Sequence, residues 1–316
     1  MARIAAIGEV MVELAPHPST DASDKDIMAL GFAGDTFNTA IYMARTGIQT
    51  EYVTLLGDDP YSEKIFDLAK AENVGTSMME TMAGRLPGMY VIRNSPDGER
   101  EFYYWRKEAR ARELFAAKAH TENLINQLKE CDYVYLSGIT LAIISDHSRL
   151  VLLRFIKEYR AQGGTFCFDI NYRPRLWDND QTMAQYVMAE FMEHTDIALL
   201  TLDDEAMLWG DGSIDATIER YKNNGIKELV LKRGAEEVVA YVNGEKLRVP
   251  VSKVDGVVDT TGAGDSFNAG YLSARAQGFS YEDAARHGIH VASIVIRNRG
   301  AIVKKASFNG MYNGLN

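Results

Sequence analysis

The chain has 316 residues, 46% hydrophobic and 25% charged, a balance that supports a large packed core and excludes disorder and fibrous repeats. Its formal charge of −10 argues against nucleic acid as the main partner and against an anionic membrane surface. No apolar run reaches the roughly 18 residues of a membrane span, and the start, Met1 to Ile7, enters a strand-like segment without a signal-peptide layout, so the cytoplasm is the expected compartment.

Along the chain, short β-rich apolar runs alternate with longer helical patterns, the signature of βαβ units and a mostly parallel sheet. A strand is expected over 4–10, and Gly31-Phe32-Ala33-Gly34-Asp35-Thr36-Phe37-Asn38 is a glycine-bearing turn that opens a helix over 36–46. Asp35 or Thr36 suits the cap of that helix, and Asn38, one turn in, is equally placed to hydrogen-bond a ligand hydroxyl. A strand over 52–56 and a helix over 61–72 follow. The alternation then breaks. Residues 89–94 and 99–105 are both β-rich and flank Ser95-Pro96-Asp97-Gly98, a turn in which Pro presets one dihedral and Gly accepts positive φ. With a period of two, Phe102, Tyr104 and Arg106 face one way and Tyr103 and Trp105 the other. Such a hairpin packs either on its own domain or a dimer mate, with Arg106 solvated, or as a lid. Aromatics on both faces favour a lid that closes over a ligand on one side and meets a partner subunit on the other.

Strands over 133–136, 165–170, 197–201 and 229–232 alternate with helices over 145–162, 182–194 and 213–224. Cys131 and Cys167, the only cysteines, show neither a CxxC pair nor zinc spacing and are expected to be buried, reduced thiols. The strand over 165–170 runs into Phe168-Asp169-Ile170-Asn171-Tyr172-Arg173-Pro174. Ligands of open α/β sheets bind outside the carboxyl ends of strands, which puts Asn171 and Arg173 where a substrate should lie. Asp169 either joins them or caps the next loop. Further on, 238–242 and 246–251 flank Asn243-Gly244, a two-residue hairpin signal.

Helices over 262–277 and 281–297 close the chain, and the first opens on Asp259-Thr260-Thr261-Gly262-Ala263-Gly264-Asp265-Ser266-Phe267. Phe267, Tyr271 and Leu272 fall on one stripe and Gly278 suits the C-terminal cap, so the glycines sit at the helix N-terminus. Free N–H groups and the positive end of the helix dipole meet there, and small residues let a phosphate come close. Asp265 repels a phosphate. It is either a favourable first-turn acid or a group that works on a proton.

These segments together, in order and spacing along almost the whole chain, resemble the ribokinase-like (PfkB) carbohydrate kinases. The resemblance implies a three-layer α/β/α fold in one domain over 1–316, with a mostly parallel central sheet and a small β-sheet lid built from segments near 10–33 and 86–107. It implies ATP and Mg2+ as cofactors, and Asp265 as the general base toward the terminal hydroxyl of a sugar. A carboxylate of ordinary low pKa suffices for that task, because the hydroxyl becomes acidic only late in phosphoryl transfer. Gly262, Ala263 and Gly264 would form the catalytic turn, in which the N–H groups of Ala263 and Gly264 stabilise charge on the transferring phosphoryl. Family positions carried over place Gly34, Asp35, Asn38, Tyr90, Tyr104, Arg106, Arg173 and Asp265 on the sugar, and Asn171, Lys232, Gly234, Thr260, Gly262 and Gly264 on the nucleotide. One departure stands out: Leu202 occupies the place where many relatives have an Asn three residues before Glu205, which leaves a metal-organising role for Glu205 open and the metal ligands unknown.

Four narrower segments, Arg85 to Tyr90, Phe102 to Arg106, Asn171 to Trp177 and Leu200 to Glu205, resemble the branch that phosphorylates 2-keto-3-deoxygluconate at its 6-hydroxyl. Charge points the same way: a sugar acid brings a carboxylate, the natural partner of a guanidinium, and Arg106 beside Tyr104 is the candidate. A neutral sugar such as fructose or ribose, or 2-keto-3-deoxygalactonate, is the alternative substrate. A Rossmann dehydrogenase fails locally, since Ile7-Gly8-Glu9 lacks GxGxxG after the first strand and the later glycines come too late. A non-catalytic sugar-acid sensor is disfavoured by the retained Asp265. The expected partners are therefore a sugar acid and ATP, with no nucleic acid or membrane, in a homodimer through the lid or a higher oligomer.

Overall fold

The computed structural model describes residues 2–17, 27–94, 100–210 and 212–314. Its strands are β1 (Arg3–Ile7), β2 (Met11–Pro16), β3 (Met28–Ala33), β4 (Gln49–Leu56), β5 (Met79–Thr81), β6 (Met89–Asn94), β7 (Arg100–Trp105), β8 (Tyr133–Ser137), β9 (Thr165–Asp169), β10 (Ile197–Thr201), β11 (Glu228–Lys232), β12 (Glu237–Val242) and β13 (Glu245–Pro250). The helices are α1 (Asp35–Arg45), α2 (Pro60–Ala71), α3 (Lys118–Leu128), α4 (Gly138–Ile143), α5 (Asp146–Ala161), α6 (Gln181–Met192), α7 (Leu202–Trp209), α8 (Ile214–Tyr221), α9 (Ala263–Ala276), α10 (Tyr281–Val295) and α11 (Lys305–Met311).

The strands β1, β4, β8, β9, β10 and β11 are buried on both faces, which is what a sheet covered on both sides requires. Ala5 and Ile7 of β1 enter one core cluster with α3, α5, α6 and α8, while Ile4 and Ala6 enter the other with α1, α2, α9 and α10. The result is three layers around a nine-stranded sheet of order β13-β12-β11-β10-β9-β8-β1-β4-β5. Pairing is parallel from β5 to β11, and the β12–β13 hairpin adds an antiparallel edge. Its turn is the expected one, with Asn243 and Gly244 both at positive φ (52° and 85°). Local sequence sets the helix starts: Asp59, Ser145, Ser213 and Ser280 each cap the N-terminus of the helix that follows. Both cysteines are buried and free, as expected. No helix among the described residues is long and apolar enough to cross a membrane.

Beyond the carboxyl ends of the large sheet lies a second sheet of four strands, order β3-β2-β6-β7. The period-two division of β7 holds, and the register extends it across the sheet. Tyr90 pairs with Tyr104 and Ile92 with Phe102 on the inner face, while Met89 pairs with Trp105 and Val91 with Tyr103 on the outer. Tyr90 and Ile92 join Met11, Ala33 and Ala301 in a small core of their own. The turn Ser95-Pro96-Asp97-Gly98 lies outside the described residues.

Three expectations are revised. The first strand ends at Ile7 rather than residue 10, because Gly8 turns the chain out of the sheet against α1: a Cβ at Gly8 would lie 2.1 Å from Thr36 Oγ1. The cap of α1 is Gly34, not Asp35 or Thr36. Residues 31–33 continue β3 into that cap, so the glycine turn is shorter than its sequence suggested.

Candidate active site

The order in which strands are added to the large sheet reverses at β1, which has β4 on one side and β8 on the other. At such a switch point the loops diverge and leave a crevice. Glu9 follows β1, Asp169 ends β9 and Asn171 follows it, Asp204 follows β10 and Lys232 ends β11; all line one cavity of about 1180 Å³ under the inner face of the small sheet.

The turn before α9 forms one wall. Asp259 holds its shape: Oδ1 accepts from the Thr261 N–H (3.1 Å) and hydroxyl (2.7 Å), and Oδ2 accepts from the Gly300 N–H (2.7 Å). Gly262 caps the helix at φ 76°, and a Cβ there would lie 3.0 Å from the Ala301 backbone, so glycine is required twice over. Gly264 instead faces open space, with Lys232 Nζ 3.9 Å from where a Cβ would stand. The Ala263 N–H is turned to the Thr260 carbonyl (3.1 Å), so of the two donors expected to face a phosphoryl group, Gly264 is the better placed.

Asp265, in the first turn of α9, accepts a hydrogen bond from Asn38 Nδ2 (2.8 Å). Burial raises its pKa to about 7; Asp35 and Asp169 push the same way, against Asn38 and Lys232. The ordinary low value expected from sequence is therefore not what the site provides, since three carboxylates converge where water is scarce. Asp35 accepts from the Ser137 hydroxyl and from Asn171 Nδ2 (2.9 Å), and it too is raised, chiefly by burial. Asn171, expected on the nucleotide, thus braces the acid of the sugar side from a positive-φ position (32°). Lys232 Nζ donates to Asn268 Oδ1 (2.8 Å), and Asn268 Nδ2 donates to Asp169 Oδ2 (2.7 Å), which ties β11, α9 and β9 together. Asp169 is therefore a buried network member rather than a loop cap. Its Oδ1 has no hydrogen-bond partner among the described residues.

On the small sheet, Tyr90, Tyr104 and Arg106 all reach the cavity. Arg106 is not solvated. It is 8% exposed, donates to Glu9 Oε2 and stacks near the Tyr104 ring at 5.7 Å. Arg173 spans the rim, half exposed, with Nη1 on Asp204 Oδ1 at 3.0 Å.

Gly34, Asp35, Asn38, Tyr90, Tyr104, Arg106, Asn171, Arg173, Lys232, Thr260, Gly262, Ala263, Gly264 and Asp265 all line the cavity. Gly234 is not among the lining residues and sits in the turn after β11 with φ 54°. Glu205 also lies elsewhere, fully buried with its carboxylate on Tyr221 (3.2 Å) and Arg220 (3.3 Å) and raised by burial to about 7. Among the described residues no group of three or more His, Cys, Asp or Glu is arranged to hold a metal ion. Sequence reading missed Glu9, Asp204 and Asn268. The first two follow strand ends, so the rule that found Arg173 would have found them; Asn268 gave no signal beyond lying one turn after Asp265.

A doubly wound domain that sets a glycine-lined helix N-terminus and one carboxylate at the mouth of a large crevice has the layout of a small-molecule kinase. Residues 1–307 match the pfkB family carbohydrate kinase, and the chain belongs to that family. It is 46% identical over 310 residues to the 2-dehydro-3-deoxygluconokinase of Escherichia coli K12, covering 96% of this chain and 97% of that protein. The protein of the same name from Dickeya dadantii is 44% identical over 307 residues, with 95% and 96% covered. Among solved structures, an E. coli protein in complex with ATP and Mg2+ superposes with a TM-score of 0.83 over 98% of this chain and 99% of that one, at 21% identity.

Proposed function

We propose that the chain transfers the γ-phosphoryl group of ATP to the 6-hydroxyl of 2-keto-3-deoxygluconate (2-dehydro-3-deoxygluconate), giving 2-keto-3-deoxy-6-phosphogluconate. The observation that carries this reading is one cavity holding both Asp265, at the glycine-lined start of α9, and Arg106, on the facing small sheet. It agrees with the name of the E. coli relative. Asp265 takes the proton of the attacking hydroxyl, held by the Asn38 amide with one oxygen free for the substrate. The Gly264 N–H and the α9 dipole receive charge that builds on the phosphoryl oxygens, and Lys232, 3.9 Å from the Gly264 Cβ position, adds a cation. With no metal cage built among the described residues, the site fits an Mg2+ that arrives on the nucleotide, since this ion keeps its waters and binds mainly through substrate phosphates. When bound it neutralises the β- and γ-phosphate oxygens.

The small sheet, from segments near 10–33 and 86–107, is the lid, and Tyr104 and Arg106 on its inner face meet the sugar acid. Its outer face carries Leu30, Tyr103 and Trp105 at 43%, 46% and 59% exposure, beside Leu86 at 58%. Such a patch is costly in water. A homodimer joined through the lids is therefore expected; a monomeric mass in light scattering at micromolar concentration, with full activity, would contradict it. We place the enzyme in the cytoplasm.

A coupled assay with ATP and Mg2+ over a panel of sugar acids and neutral sugars tests the substrate. The highest kcat/KM is expected for 2-keto-3-deoxygluconate. A preference for fructose or ribose would discard the sugar acid while keeping the kinase, and no ATP consumption with any member would discard the kinase.

A further inference from the structure

No step of the proposed reaction uses Glu9, yet it occupies the crossing point between the two sheets. The chain leaves β1 through Glu9 to reach the small sheet, and returns to α1 at Gly34, where a Cβ would lie 2.0 Å from the Glu9 carbonyl oxygen. A Cβ on Gly88, just before β6, would lie 2.8 Å from Glu9 Oε1. Arg106, just past β7, donates to Glu9 Oε2, and the two side chains are 8% and 2% exposed. Neither group is saturated: Arg106 Nε and Glu9 Oε1 are buried with no hydrogen-bond partner among the described residues. Arg112 adds a second cation near Glu9, and Asp35 from α1, Tyr52 from β4 and Tyr104 from β7 also act on it.

A sugar acid brings a second carboxylate to this one guanidinium. Two anions on one cation in a dry cleft, with Asp35 close by, is a costly arrangement. We propose that Glu9 is the resting counter-ion of Arg106, that it yields the guanidinium to the substrate carboxylate, and that it takes one proton from solvent as it does so. The only covalent change is the O–H bond formed on Glu9. Burial already raises the proton affinity of Glu9, and Arg106 is the strongest influence holding it down, so withdrawing Arg106 lets the proton on. A neutral sugar makes no demand on Arg106 and leaves the pair intact. Glu9 is then a positioning residue that sets specificity through Arg106, an inference that rests on the sugar-acid reading.

Titration calorimetry in two buffers of different ionisation enthalpy counts the protons. Wild-type enzyme is expected to take up a fraction of one proton with 2-keto-3-deoxygluconate, and its Kd to weaken by up to about tenfold per pH unit between the pH at which Glu9 loses its proton in the free enzyme and the higher pH at which it does so in the complex. With 3-deoxyfructose, in which CH2OH replaces the carboxylate, no such uptake is expected. Glu9→Gln should abolish the uptake and flatten the pH dependence. Sugar-acid binding without uptake, equal uptake with both ligands, or uptake that survives in Glu9→Gln overturns the proposal. Should Glu9→Gln fail to fold, the two-ligand comparison on the wild type decides alone. Binding of 3-deoxyfructose but not of the sugar acid would instead overturn the substrate reading.

Discussion

Replacing Asp265 by Asn is expected to lower turnover by roughly 100-fold or more while ATP still binds, because the amide keeps the shape and the contact with Asn38 but takes no proton. The same substitution should raise the stability of the ligand-free protein above neutral pH. Asp265 ionises at about 7 in the fold against a reference near 3.8, so the folded chain holds a proton that the unfolded chain has released. Stability is then fullest below the lower value and falls as pH rises toward the upper one. Asn escapes that loss. Its melting temperature should exceed that of wild type at about pH 8 and approach it near pH 4, where both side chains are neutral. In the wild type, kcat/KM should fall as pH drops below about 7, following protonation of the base. Near-normal turnover in a folded Asp265→Asn protein would remove Asp265 from the mechanism, and a lower melting temperature at pH 8 would mean that the carboxylate is not held among like charges.

The parts of this site legible in sequence are those where backbone conformation and residue type coincide. Gly262 needs positive φ and has no room for a side chain, and Asp265 follows it at a fixed spacing, so a turn motif announces both. Arg106 was placed on the inner face by the strict period of two along β7. Neighbours from distant segments were not legible. Nothing in Gly8-Glu9-Val10 says that its carboxylate will meet a guanidinium 97 positions later, and the pKa of Asp265 depends on Asp35 and Asp169, which only the packing of β9 and α1 against α9 brings close. Met11–Pro16 and Met28–Ala33 give little strand signal of their own, because Ala, Met, Leu and Gly carry little strand preference; the pairing of β2 with β6 and of β3 with β2 makes them strands. Glu205 shows the converse, a carboxylate in a family position that the fold turns inward onto Tyr221 and Arg220.

Removal of the Arg106 side chain is expected to separate sugar acids from neutral sugars. If Arg106 pairs with the substrate carboxylate under a closed lid, Arg106→Ala leaves that charge desolvated and unpaired, a loss of about 2 to 5 kcal/mol in transition-state binding. Activity on 2-keto-3-deoxygluconate should drop steeply, while the weak turnover of 3-deoxyfructose should change little. The structure adds a second consequence, because Ala also leaves Glu9 buried without its cation. Breaking a buried pair by removing one partner costs on the order of 3 to 5 kcal/mol of stability, although protonation of Glu9 offsets part of it. A fall in activity could therefore come from a damaged lid. Adding Glu9→Gln to Arg106→Ala removes the stranded charge, so the double variant should recover thermal stability, and with it any neutral-sugar activity lost to lid damage, but not the sugar-acid activity. Measuring kcat/KM for both substrates in wild type, single and double variants isolates the carboxylate contact from general lid damage. If both substrates lose activity by the same factor, Arg106 is a lid-supporting residue, and the carboxylate must be sought at Arg173, whose half-exposed guanidinium faces the same cavity, or at the Gly34-Asp35 turn.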